Sequence, residues 1–61
     1  MTPAELETRA LALYGPTWQT ALARKVGVEP RSVRKWKAGD REIPDWLAVV
    51  VGMLERHPEE R

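Results

Sequence analysis

Arg31, Arg34, Lys35 and Ala38 stand at i, i+3, i+4 and i+7, the spacing that gathers side chains on one face of a helix. Val33 and Trp36 project from the opposite side of the same segment. Three long cations in one stripe can do a definite chemistry. Guanidinium and ammonium groups donate to O6 and N7 of guanine in a DNA major groove, and they neutralise phosphates. Ala38 leaves the lower end of the stripe flat, so the helix can approach closely. Other chemistries lack their residues. The chain has no cysteine and a single histidine, His57, so no thiolate nucleophile, disulfide or multi-histidine metal site is expected. Glu42 and Asp45 flank Pro44 as ordinary helix-start carboxylates. With no glycine-rich phosphate loop either, the chain is expected not to be an enzyme and to take no cofactor or metal.

The charge distribution agrees with the stripe. The 61 residues carry a net charge of only +1, but this is a cancellation. Residues 1–23 sum to −1, residues 24–41 to +5 and residues 42–61 to −3. Seven of the ten cations fall in the middle segment, which is the footprint of a nucleic-acid contact between acidic flanks.

Such a stripe must be held by something, and the punctuation of the chain predicts four helices. Thr2-Pro3-Ala4-Glu5 is a capping box with proline at the first helical position, and Gly15-Pro16 is a stop, giving a helix over 3–14. Leu6, Ala10, Leu13 and Tyr14 make its apolar face. Thr17 is placed to cap a helix over 18–25, with Trp18, Leu22 and Val26 as its buried stripe and Gly27 as its stop. Pro30 opens a third helix over 30–38 with Glu29, a poor capping residue, at its N-cap, and Gly39 closes it. The fourth is expected over 45–56, after Pro44 and before Pro58. No stretch alternates with a period of two, so the fold class is all-α. Residues 1–57 form one domain and 58–61 a polar tail that is expected to fray.

The second and third helices meet three requirements of a helix-turn-helix. A small residue, Ala23, stands where the helices approach most closely. Gly27 permits the positive φ of a tight turn, and Val28, Val33 and Trp36 pack one helix on the other. The run Gln19-Thr20-Ala21-Leu22-Ala23-Arg24-Lys25-Val26-Gly27-Val28, followed by Val33 and Trp36, resembles the lambda-repressor/Cro-like helix-turn-helix family. Members show glutamine at the start of the motif, alanine four residues on and glycine four after that. The likeness covers residues 17–47 best. It implies a homodimeric regulator of bacterial, phage or plasmid type that binds double-stranded DNA with the third helix in the major groove. Arg31, Arg34 and Lys35 would then reach base edges. At the start of the second helix, the amides around Thr17 and Trp18 would face a phosphate and Gln19 would contact a phosphate or brace the third helix, with Lys37 and Arg41 on further phosphates. Glu29-Pro30 departs from the family pattern, where small polar residues are usual, and shifts base reading onto the three cations.

Two expectations concern the rest of the chain. Trp36 and Trp46 are read as core, whereas Trp18, at a helix start, is read as open between core packing and a contact to the DNA backbone. The fourth helix carries Trp46, Leu47, Val49, Val50, Val51, Met53 and Leu54 over an arc near 200°, wider than the ~100° one core face needs. The surplus predicts a dimer contact through Leu47, Val50, Val51 and Leu54. The competing reading is a small helical protein-interaction module whose basic helix is merely solvated. At this length no effector domain is expected, so repression would act by occluding a promoter. Without a signal-peptide pattern or an apolar span, the expected location is cytoplasmic.

Overall fold

The computed structural model describes the whole chain, Met1–Arg61. It is all-α, with α1 over Pro3–Tyr14, α2 over Trp18–Val26, α3 over Pro30–Ala38 and α4 over Asp45–Arg56. No helix is long and apolar enough to cross a membrane. Two short 3₁₀ turns supplement the helices, at Gly15–Thr17 and Pro58–Glu60. The second gives a turn to the tail that the sequence predicts as frayed.

Local chemistry explains each boundary. The Thr2 hydroxyl accepts the amide N–H of Glu5 at 3.1 Å and caps α1. Thr17 makes no such bond: the chain enters α2 through the 3₁₀ turn, and the expected side-chain cap is absent. Gly27 closes α2 at φ +77°, where a side chain would be strained, and its N–H donates to the Ala23 carbonyl at 2.9 Å. Gly39 closes α3 at φ +83° with both bonds of a Schellman motif, Gly39 N–H to Trp36 carbonyl and Asp40 N–H to Lys35 carbonyl. Glu29 stands at the N-cap of α3 without a side-chain bond, as its chemistry predicts.

The core is entirely apolar: Leu6, Ala10 and Leu13 of α1, Trp18, Leu22 and Ala23 of α2, Val33 and Trp36 of α3, Ile43, and Leu47, Val51 and Leu54 of α4. Ala23 is fully buried, which suits the close approach of α2 and α3. Those two helices make the most extensive contact in the fold, and α4 packs on α1. Between α1 and α4, the Arg9 guanidinium donates two hydrogen bonds to the Glu55 carboxylate, at 3.0 and 2.5 Å.

Two sequence expectations about α4 are corrected here. Leu47, Val51 and Leu54 are buried in the chain's own core, so they cannot also form a surface for a second copy. Of the four residues predicted there, only Val50 is partly exposed. The surplus apolar face consists instead of Trp46, Val49 and Met53, exposed at 46%, 61% and 50%. Trp46 is therefore not a core residue. Its ring stands edge-on to buried Trp36, with centroids 6.2 Å apart and planes at 81°.

The Arg9–Glu55 pair yields a small pH effect of definite sign. The hydrogen bond from Arg9 holds the Glu55 carboxyl below the usual carboxylate range, against a weaker opposing effect of burial. A depressed carboxylate contributes stability above its unfolded pKa and loses it as pH falls through the folded value. Both groups are about a third exposed, so solvent screening keeps the contribution below about 1 kcal/mol. Thermal melts of wild type and Glu55→Gln are expected to differ by a degree or two at neutral pH and to converge in acid. A gap that persists unchanged at acid pH would assign the loss to packing instead.

Candidate nucleic-acid interface

α3 has two faces with opposite duties. Val33 and Trp36 anchor it to the core, and Arg31, Arg34, Lys35 and Ala38 lie on the other side. Arg31, Arg34 and Ala38 are exposed, while Lys35 is half-buried along its stem. Arg31, Arg34 and Lys35 make no ion pair within the chain, so all three charges are available to a ligand. A nine-residue helix is about 13 Å long, and its width matches the ~12 Å major groove.

The residues expected on phosphates divide. Arg41 is exposed and unpaired in the segment between α3 and α4. Lys37 is not free: its ammonium lies 3.5 Å from the Glu7 carboxylate of α1. The helical wheel places Lys37 between the cationic face and the core, on the side where α1 packs. Thr17 is exposed and Gln19 half-buried at the entrance to α2. Trp18 contradicts its expected role. Its side chain is core, and its N–H donates to the Gly15 carbonyl, so this amide has no hydrogen left for a phosphate.

Two features escaped sequence reasoning. The Glu7–Lys37 pair joins residues 30 positions apart, and no local spacing announces it. Arg24, Lys25 and Arg61 converge with Tyr14 around an open hollow of about 400 Å³. Arg24 and Lys25 end α2, where cations also complement the helix dipole. No three His, Cys, Asp or Glu side chains gather as a metal would need.

The fold and its basic face therefore define a small all-α domain with a glycine-turned helix pair and one cationic helix surface. Comparison with known proteins finds no family model, no curated protein and no solved structure that matches the chain.

Proposed function

We propose that this protein is a sequence-specific double-stranded DNA-binding repressor of transcription. A homodimer would place α3 of each copy in successive major grooves of a short inverted repeat, with centres ~34 Å apart. Arg31, Arg34 and Lys35 read base edges, Arg41 and Gln19 hold phosphates, and bound protein occludes a promoter. The reading includes a cytoplasmic location and regulation of the protein's own operon, the economical arrangement for a small bacterial or phage regulator.

One observation carries this reading. The stripe of Arg31, Arg34 and Lys35 is unpaired and points away from a core that fixes the opposite face of the same helix. Exposed Ala38 leaves one end of the stripe flat, which favours close approach of a groove over a merely solvated face. The second reading, a protein-interaction module, is favoured by the exposed Trp46, Val49 and Met53 on α4.

Selection of bound sequences from a random DNA pool separates the two. The DNA-binding reading expects enrichment of an inverted repeat with guanines in each half-site. A pool that stays random after several rounds would overturn it and leave the interaction module.

A further inference from the structure

The exposed face of α4 is one continuous stripe. At 100° per residue, Val49, Met53, Trp46 and Val50 fall within about 100° of each other, next to the buried arc of Leu47, Val51 and Leu54. Three side chains about half exposed offer on the order of 300 Å² of apolar surface, comparable with the largest apolar patch of a typical monomer, which is often functional.

We infer that this stripe takes a second copy of the same chain, with the two α4 helices antiparallel across a two-fold axis beside Val49 and Val50. The inference deepens the dimeric DNA-binding reading and rests on it for its purpose, though not for its geometry.

Three observations select this occupant and this direction. Asp45 and Arg56 lie at opposite ends of α4, on the same edge of the stripe. Both are exposed, and neither has an ion-pair partner within the chain. Antiparallel pairing sets that edge against the same edge of the partner and brings Asp45 of each copy toward Arg56 of the other, whereas parallel pairing turns it to the partner's opposite edge and loses this complementarity. With the axis between Val49 and Val50, Trp46 of one copy lies over Met53 of the other, an aromatic–thioether contact, and Arg56 is offset from Asp45 by two residues, about 3 Å, within reach of its long side chain. Beside Met53 there is also a receiving groove of about 390 Å³, walled by Val50, Leu54, His57 and Lys25. A large ring at one end of the stripe thus faces a hollow at the other, the self-complementarity a two-fold contact requires.

The area fixes the strength. Two such patches bury about 600 Å² of apolar surface plus a polar rim, short of the ~1,200 Å² of a standard stable interface. Free copies therefore associate weakly. Adjacent half-sites on DNA would hold them at a millimolar effective concentration, sufficient to close the contact.

The test is sedimentation equilibrium of the whole chain without DNA, from micromolar to millimolar concentration. Wild type is expected to pass from monomer to dimer over that range. Asp45→Arg and Arg56→Asp should each weaken association roughly tenfold or more, since two like-charge contacts replace two attractive ones. An equimolar mixture of these two variants, or the double exchange in one chain, should restore it. Val49→Lys, at the most exposed position of the stripe, should abolish dimerisation while leaving the thermal melt nearly unchanged. Wild type that stays monomeric at millimolar concentration would overturn the proposal and leave a different protein as the occupant. Dimers indifferent to Asp45→Arg and Val49→Lys would overturn it as well. Loss of DNA binding with intact self-association would instead count against the DNA-binding reading alone.

Discussion

Replacing Trp36 by alanine is expected to leave the chain largely unfolded at ambient temperature, whereas replacing Trp46 leaves it folded. Trp36 is 4% exposed at the centre of the face that binds α3 to the rest of the domain. Truncating a buried tryptophan costs about 3–5 kcal/mol, through lost burial and the cavity left behind. A chain of this length has only about 3–9 kcal/mol of stability in total. The loss is therefore comparable with the whole. Trp46 is half exposed, and its removal forfeits an edge-on ring contact and partial burial, about 1–2 kcal/mol. Far-ultraviolet circular dichroism during urea titration decides the matter. A Trp36→Ala variant with a midpoint close to wild type would mean that α3 is held by something other than this ring. The same result would undermine the proposed base-reading role of α3, because a basic stripe on a loosely held helix cannot keep three cations in register with base edges.

The contrast between the two tryptophans also shows what the sequence could and could not specify. Helix boundaries are written in local chemistry: Pro3, Gly27, Pro30, Gly39 and Pro44 act within a few residues of where they stand. That is why α1, α3 and α4 fall where the spacing predicts them and α2 extends by one residue, to Val26. Thr17 failed as a cap because a 3₁₀ turn carries the chain into α2, and its backbone angles leave the hydroxyl without an amide to accept. α4 failed differently. With apolar residues over an arc near 200°, periodicity shows that two faces exist but carries no information on which turns inward. That choice is made by α1, whose Leu6, Ala10 and Leu13 join the core with Leu47, Val51 and Leu54. The Arg9–Glu55 pair, bridging 46 positions of sequence, spans the edge of that contact and adds little to it. The basic stripe was legible because a single helix fixes its geometry. The state of Lys37 was not, because its partner belongs to another helix.

That difference shapes the largest functional prediction. Arg34→Ala is expected to cost about 1–3 kcal/mol on the site selected from a random pool, a loss of roughly ten- to a hundredfold, and to relax base preference at one position of each half-site. On random DNA the same variant should lose much less, since a single phosphate contact is all that disappears there. Arg34 is the sharpest choice among the three cations. Like Arg31 it is an exposed, unpaired arginine, a rigid fork matched to two acceptors on guanine, and it stands midway along the nine-residue α3, whereas Lys35 is a half-buried point charge. Lys37 serves as the internal contrast. To reach a phosphate its ammonium must leave Glu7, so binding exchanges one ionic contact for another, and Lys37→Ala should weaken all sequences alike by only a fewfold. Glu7→Gln releases that ammonium and should tighten binding to every sequence about two- to threefold, with a steeper salt dependence. In a Lys37→Ala background most of this gain should vanish. Affinities of the four variants on selected and random duplexes, each across a salt series, check the whole set. Equal losses on both duplexes for Arg34→Ala would remove the base-reading role from α3, even if the protein bound DNA tightly, and would reduce the stripe to a phosphate clamp.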